Sequence, residues 1–162
     1  MNINLLNCSV GVIVYNEAAN IGKLLDALLS QDLHKVNLAE IIVVSSASSD
    51  GTDEIVQSYC ERYEQIKLIS EAERRGKSAA VNTFIKAAKS EILIIESGDT
   101  IPAVDTVEKM VVAFEDENVG MTGGRPVPEN KEDTFVGYSV NLLWRLHHQM
   151  ALISPKLGEM VA

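Results

Sequence analysis

Two clusters of polar residues in this chain have the composition of anion-binding and metal-binding sites. Three cations fall within four positions at Arg74, Arg75 and Lys77, just before a helical pattern. The dipole and free amides of a helix N-terminus favour an anion, so this spacing suits a diphosphate. Asp99 follows a buried apolar run, where a carboxylate can hold Mg2+ or Mn2+ between itself and two phosphates. Gly98 beside it allows a close backbone approach.

Both clusters also have purely structural interpretations, which the residues alone leave open. The cations can form a solvated turn that offsets Glu71 and Glu73, and the G-x-x-x-x-G-K spacing of a P-loop is absent. Gly98 and Asp99 can form a simple turn before a helix that starts at Pro102.

A third cluster, Ser45–Thr52, combines four serines with Asp50 and Thr52 after another apolar run. These side-chain oxygens can cap the following helix. The same hydroxyl groups and backbone amides can also hold a nucleoside or a phosphate. The residue types are compatible with both uses.

Short apolar runs precede these clusters and predict buried strands. The first four runs are each followed by a helical pattern, which predicts an α/β fold with a mostly parallel sheet and helices on both faces. The polar segments would then meet at the carboxyl edge of the sheet, where open α/β sheets bind ligands. The predicted strands are Cys8–Val14, Glu40–Val44, Ile66–Ser70, Glu91–Ile95 and Val119–Thr122.

Apolar residues at helical spacing predict the helix faces that pack on this sheet. The segment from Ile21 to Leu29 is the clearest, with apolar residues at i, i+3, i+4, i+7 and i+8. We expect Tyr63 and Ile85 to point inward from the next two helices. The last helix has a broad apolar face, for which the sheet, a partner subunit and a membrane are alternatives. The remaining predicted helices are Thr52–Tyr63, Lys77–Lys89, Val104–Asp116 and Thr134–Ile153.

The composition is that of a globular protein, with 46% hydrophobic and 23% charged residues among 162. A formal net charge of -9 argues against a nucleic-acid partner, because phosphate backbones need a broad basic face. Residues Met1–Asn4 lack the cationic start and long apolar stretch expected of a secretion signal, and no apolar run approaches the ~20 residues that span a bilayer. Cys8 and Cys60 are most simply interpreted as buried thiols in a reducing compartment. We therefore expect the protein to be located in the cytoplasm or at the inner face of the membrane.

Four segments between residues 8 and 126 follow one another in the order known from one large family. Val12–Glu17 is similar to that family's opening strand and Y-N-E turn, and Ser48–Thr52 is similar to its S-T-D-G-T segment. Gly76–Asn82 is similar to its G-K-x-x-A-x-N stretch, and Ile94–Pro102 to the strand that carries its D-x-D metal motif. The chain therefore resembles family 2 of the glycosyltransferases, whose GT-A fold is a Rossmann-like fold of nucleotide-diphospho-sugar transferases.

The resemblance implies a nucleotide-sugar-binding core at residues 1–125 and the start of an acceptor-side region at 126–162. Asp99 would take the second Asp position of D-x-D and bind the Mg2+ or Mn2+ joined to the diphosphate. The implied activity moves a hexose from a nucleoside-diphosphate sugar to an unknown acceptor, such as a lipid or a glycan. A membrane surface and a homo-oligomer are left open. The implied nucleotide-sugar-binding residues are Tyr15, Asn16, Glu17, Ser45, Ser46, Asp50, Arg75, Lys77, Asn82, Gly98 and Asp99.

The chain departs from the family pattern at three places. Ser45 and Ser46 stand where the family usually has one or two Asp, so the resemblance does not choose between UDP and GDP. Ser97 stands at the first Asp of D-x-D, and strand alternation should turn the adjacent Glu96 to the opposite side. Glu159 precedes the family's usual general-base position, so we expect a fragment of a longer transferase or a natural short form.

Other functions on this architecture compete with the transferase. Ser45, Ser46, Ser97 and the missing downstream base favour a non-catalytic nucleotide-binding module, or an inactive fragment of the same fold. A sugar nucleotidyltransferase is disfavoured, because no Gly-rich phosphate loop follows the first strand. The absence of G-x-G-x-x-G after Val14 also argues against dinucleotide-binding sheets, while flavodoxin-like sheets share only the architecture.

Overall fold

The computed structural model describes residues 5–153 of the chain. The prediction for Glu159 lies outside this range. The chain divides into two compact units, Met1–Val119 and Gly120–Ala162, a few residues before the predicted boundary at 125. The elements are β1 (Leu6–Val14), α1 (Ile21–Leu29), β2 (Val36–Ser46), α2 (Thr52–Cys60), β3 (Ile66–Glu71), α3 (Lys77–Ala87), β4 (Ile92–Ser97), α4 (Thr106–Val112), a 3-10 turn (Ala113–Glu115) and α5 (Phe135–Ile153).

The first unit is built on a four-stranded sheet with the strand order β3-β2-β1-β4. Every neighbouring pair is parallel, and Val10 of β1 lies opposite Ile41 of β2 and Ile94 of β4. The strands are rich in Val and Ile because parallel sheets are covered on both faces. The predicted parallel sheet and its first four strands are confirmed.

Helices cover both faces of this sheet, as predicted. Helices α1, α2 and α4 share one apolar core with β1 and β2, whereas α3 packs on the other face through Ala80 and Phe84. Gly11 of β1 lies directly beneath Phe84, and a Cβ at Gly11 would overlap the Phe84 ring. The missing side chain therefore lets α3 approach the middle of the sheet closely.

The predicted apolar stripe of α1 is confirmed. Ile21, Leu24, Leu25 and Leu28 are buried. The predictions that two other residues point inward were wrong. Tyr63 lies beyond the end of α2 and is 38% exposed, where its ring stacks on that of Tyr59.

Ile85 of α3 is the second wrong position, since 48% of it is exposed. Among the described helices, α3 is the one that packs on the Ile42 and Val44 face of the sheet. A helix without lateral neighbours buries only the stripe that faces the sheet. Ile85 is rotated by about 100° from the buried Phe84, so it falls outside that stripe.

The fifth predicted strand, Val119–Thr122, is also wrong. Within residues 5–153 the sheet contains four strands, and this segment is irregular. Gly120 interrupts the run, and Met121 is 58% exposed. A glycine within four residues weakens a strand, and little apolar burial is gained in return.

The second unit contains the long helix α5. Thr134 precedes the helix and caps it, because the Gly137 amide donates to Thr134 Oγ1 at 3.1 Å. Arg145 forms an ion pair with Glu132. No helix within residues 5–153 is both long and apolar enough to cross a bilayer. The exposed apolar residues of the predicted face are Phe135, Leu142, Leu143, Leu146 and Met150.

Candidate functional site

A cleft of about 280 Å³ lies at the carboxyl edge of the sheet, close to the lower end of the range for small-molecule pockets. Tyr15, Lys77 and Asp99 all line it, although they belong to three separate segments. The predicted convergence of these segments is therefore present. The lining residues are Ile13, Val14, Tyr15, Glu17, Ser46, Arg74, Gly76, Lys77, Ala80, Ser97, Gly98 and Asp99.

Gly98 joins the segment after β4 to the segment after β1. Its amide donates to the Ile13 carbonyl at 3.3 Å. A Cβ at this position would lie 2.7 Å from Val14 Cγ1 and 2.8 Å from Glu17 Cγ. Only a glycine permits this close approach without displacing its neighbours, and the approach brings Asp99 to the cleft.

Asn16 ties the turn after β1 to the turn after β2. Its amide donates to Ser48 Oγ at 3.1 Å, and its Oδ1 accepts from the Ser49 amide at 2.9 Å. Its φ is 55°, a left-handed conformation that asparagine tolerates better than most residues. Asn16 is exposed and lies outside the cleft lining, so its visible contacts hold the two turns together.

Asp50 and Thr52 hold the same junction from the β2 side. Asp50 accepts hydrogen bonds from the Ala18 amide at 2.9 Å and from the hydroxyl and amide of Thr52. The Thr52 hydroxyl first, and then the Ala18 amide, lower the pKa of the Asp50 carboxyl. Thr52 Oγ1 also accepts from the Glu17 amide at 2.9 Å. The polar residues after β2 therefore position the turn that carries Tyr15.

The two serines at the end of β2 have different surroundings. Ser45 is fully buried and donates to Ser48 Oγ at 2.9 Å. Ser46 lines the cleft and donates to Glu71 Oε2 at 3.2 Å. Because its proton is directed to Glu71, the Ser46 oxygen can accept a hydrogen bond from a ligand.

Glu71 is a buried carboxylate at the end of β3, next to this side of the cleft. Burial raises its pKa, but hydrogen bonds from Thr83, Arg75 and Ser46 outweigh that effect, so the pKa is lowered overall. Arg75 Nη2 lies 2.8 Å from Glu71 Oε1 and outside the cleft lining. The neighbouring Arg74 lines the cleft instead.

Arg74 lines the cleft, although the resemblance implied Arg75 and not Arg74 as the binding residue of the three-cation cluster. Its guanidinium carbon lies 3.8 Å above the centre of the Tyr15 ring, which is cation–π geometry. The run of three cations was the available signal. Sequence spacing does not show which of two adjacent arginines turns toward the cleft. Asn82, another predicted contact, is exposed on α3 and outside the cleft lining.

Lys77 is the first residue of α3, and its ammonium points across the cleft to β4. Lys77 Nζ donates to Ser97 Oγ at 2.9 Å. Glu96 is outside the cleft lining and accepts from the Thr100 hydroxyl. Burial raises the pKa of Glu96, and the nearby Asp99 adds to that rise. Glu96 thus does not supply a second carboxylate to the cleft.

The carboxylate groups of the cleft lining are suited to a metal ion that binds together with a diphosphate. No cluster of three or more histidine, cysteine or acidic side chains within residues 5–153 is arranged to hold a metal alone. Asp99 and Glu17 are the carboxylates of the cleft lining, and Glu17 Oε2 accepts from Asn20 Nδ2 at 2.9 Å. Mg2+ commonly binds one or two carboxylates, substrate phosphates and water. Asp99 can serve as such a ligand.

Comparison with known proteins agrees with this fold. The sequence profile described as glycosyl transferase family 2 matches residues 9–159, and the chain belongs to this family. The chain is 37% identical over 116 residues to glycosyltransferase AglE of Haloferax volcanii, a match that covers 72% of this chain and 38% of the relative. The chain thus spans well under half of that relative.

Two solved structures share the GT-A fold. A mannosyltransferase from Pyrobaculum calidifontis, in complex with GDP-Man and Mn2+, matches with a TM-score of 0.60 and 34% identity, over 82% of this chain and 37% of that one. TarS of Staphylococcus aureus, in complex with UDP-GlcNAc, matches with a TM-score of 0.61 and 27% identity. This match covers 80% of this chain and 39% of TarS.

Proposed function

We propose that this chain is the donor-binding part of a glycosyltransferase that transfers a sugar from a nucleoside-diphosphate sugar to an acceptor hydroxyl. The observation that carries the proposal is the meeting of Tyr15, Lys77 and Asp99 in one cleft. These residues offer an aromatic ring, a cation and a carboxylate. A nucleobase, a diphosphate and a divalent metal are the natural ligands of those three groups.

The nucleobase would bind on the side of the cleft formed by Tyr15, Arg74 and Ser46. The Tyr15 ring and the Arg74 guanidinium are flat groups on which a base can stack. The Ser46 oxygen can accept a hydrogen bond from a base N–H. Uracil and guanine both carry such a group, so UDP-sugars and GDP-sugars are both candidate donors.

The diphosphate would bind between Lys77 and Asp99. Lys77 places a cation at the N-terminus of α3, where the helix dipole also attracts an anion. Asp99 and the diphosphate would together hold Mg2+ or Mn2+, which supplies positive charge to the leaving group when bound. Gly98 allows this segment to lie close to the turn after β1.

The remaining predicted residues have less direct roles in this proposal. Asn16, Ser45 and Asp50 would act by holding the loops around the nucleoside, as their hydrogen bonds indicate. Glu17 lines the cleft beside Tyr15. Arg75 and Asn82 remain predicted contacts, since neither lines the cleft.

The proposal also includes a cytoplasmic location and an acceptor site outside the first unit. Cys8 and Cys60 are free cysteines, and burial raises the pKa of the Cys8 thiol to about 11, which suits an unreactive thiol in a reducing compartment. Residues 126–162 would begin the acceptor side. The acceptor could be a lipid at the inner membrane face, a glycan or a similar molecule.

Isothermal titration with UDP, GDP and their sugars, with and without Mn2+, tests this function. We expect saturable binding of at least one of the two nucleotide classes, strengthened by Mn2+. Asp99→Asn should lose most of the strengthening by Mn2+, while the exposed Asp133→Asn serves as a charge-matched control. Unchanged affinity of Asp99→Asn under both conditions would contradict the role of Asp99.

A non-catalytic nucleotide-binding module is the second candidate. Ser97 favours it, because only one carboxylate stands at the D-x-D position of the cleft. Hydrolysis of the nucleoside-diphosphate sugar, measured with the full-length protein, distinguishes this module from a transferase. Binding without turnover supports the module, whereas turnover lost in Asp99→Asn supports the transferase.

A further inference from the structure

Lys77 and Ser97 form a hydrogen-bonded pair inside the cleft, with Lys77 Nζ 2.9 Å from Ser97 Oγ. We propose that Ser97 positions the Lys77 ammonium as a built-in binding group for diphosphate, so that diphosphate binding persists without a divalent cation. The inference rests on the proposed function for the ligand, a nucleoside diphosphate. It adds that Ser97 sets how strongly the site depends on metal.

The chemistry of the pair leaves binding capacity free for a ligand. A lysine ammonium has three N–H donors, and one of them is directed to Ser97. Two donors remain for phosphate oxygens. Ser97 Oγ accepts a hydrogen bond from Lys77, so the Ser97 hydroxyl proton remains available to donate to another phosphate oxygen.

The neutral charge of Ser97 is as important as its position. The charged residues of the cleft lining are Arg74, Lys77, Glu17 and Asp99, so the lining carries no net charge. An aspartate at position 97 would pair with Lys77 and make the lining net negative. A diphosphate would then meet repulsion unless a divalent cation were bound as well. Serine avoids that requirement.

The same position therefore separates two ways of neutralising a diphosphate. With Ser97, the Lys77 ammonium is available to the ligand, and a metal at Asp99 is an addition. With aspartate, two carboxylates would favour a divalent cation, and Lys77 would be occupied. Ser97→Asp is consequently expected to change the metal dependence of binding, which a merely structural role of Ser97 would not do.

The experiment measures dissociation constants of pyrophosphate, UDP and GDP by calorimetry, in excess EDTA and in excess Mn2+. For the natural chain we expect the constants for a bound nucleotide to differ by about tenfold or less between the two conditions. In EDTA, Ser97→Ala should weaken binding by about tenfold and Ser97→Thr should retain it, since hydrogen bonds to charged groups have that magnitude. Circular dichroism verifies that each variant is folded.

The decisive variant is Ser97→Asp. In EDTA, its affinity for pyrophosphate and the nucleotides should be at least about tenfold lower than that of the natural chain. Adding Mn2+ should restore this affinity. Ser58→Asp adds the same charge on α2, outside the cleft, and should leave both constants unchanged.

The outcomes separate this inference from the proposed function. Nucleotide binding that requires Mn2+ in the natural chain would overturn the inference and leave the proposed function standing. If the natural chain binds pyrophosphate in EDTA, Lys77→Ala loses this binding and no nucleotide binds, the inference is supported. The same result would overturn the proposal that the chain binds a nucleoside-diphosphate sugar. Equal metal dependence in the natural chain and Ser97→Asp would overturn the inference, and no binding of any probe would overturn both.

Discussion

The two sides of the cleft are built in different ways. On the side where we propose that the nucleoside binds, Thr52 and Asp50 accept hydrogen bonds from the Glu17 and Ala18 amides, so two turns hold each other in place. On the side proposed for the diphosphate, Lys77 and Asp99 are exposed charged residues. The first side is held largely by contacts within the protein, whereas the second presents groups to a ligand. Substitutions should therefore separate stability from affinity.

Gly98→Val should have the largest effect, because Gly98 lies where the two sides meet. Its new side chain would collide with Val14 and Glu17. We expect a loss of about 1–3 kcal/mol in the free energy of unfolding, typical of overpacking, together with weaker nucleotide binding. Urea denaturation and calorimetry measure the two effects. Gly120→Val, where a Cβ meets nothing within 4 Å, is the control, and equal behaviour of both variants would contradict this account.

Thr52→Val should affect the nucleoside side mainly through stability. Thr52 is fully buried, and valine has nearly the same shape but cannot accept from the Glu17 amide. We expect a loss of about 1–3 kcal/mol in the free energy of unfolding, because a buried donor is left without its partner. Chemical denaturation checks this against Ser58→Ala, an exposed hydroxyl on α2. A loss no greater than in the control would show that the junction is not rigidly held.

Lys77→Ala should affect the diphosphate side mainly through affinity. We expect about tenfold to hundredfold weaker binding of UDP or GDP, since a charge-assisted hydrogen bond is removed. Binding of the free nucleoside and the unfolding free energy should change little. Lys86→Ala, an exposed lysine on the same helix, is the matched control. Equal losses for nucleoside and diphosphate would place Lys77 elsewhere than at the phosphates.

The smallest expected effect is that of Glu71 on how stability falls at acidic pH. Its folded pKa lies below the usual value, because the hydrogen bonds of Thr83, Arg75 and Ser46 outweigh burial. The stabilisation is therefore present at pH above the unfolded pKa and is lost as the pH falls through the folded pKa. Denaturation midpoints between neutral and acidic pH should decline less steeply in Glu71→Gln than in the natural chain. The exposed Glu54→Gln should show the natural slope, and an identical slope in Glu71→Gln would refute the assignment.

The sequence predicted the elements that carry the site better than the contacts within it. Apolar runs bounded by polar turns identify β1–β4, and the five-residue stripe identifies α1, because burial of such runs does not depend on fine detail. Val119–Thr122 was wrong because a short run with a glycine gains little from pairing. Ile85 was wrong because α3 buries only the narrow stripe that faces the sheet.

Within the site, the sequence indicated the segments but not the orientation of each side chain. It predicted that Tyr15, Lys77 and Asp99 approach one cleft, which parallel strand ends dictate. It selected Arg75, whereas Arg74 lines the cleft, because each orientation depends on a tertiary partner: the Tyr15 ring for Arg74 and Glu71 for Arg75. Such contacts join distant segments and leave no local signal.

A crystal structure of the chain with UDP or GDP and Mn2+ is the most direct measurement of the central claim. We predict the diphosphate within hydrogen-bonding distance of Lys77 Nζ, the metal at Asp99 and the base against Tyr15. A nucleotide bound at another surface, or one in this cleft that touches neither Lys77 nor Asp99, would contradict the claim.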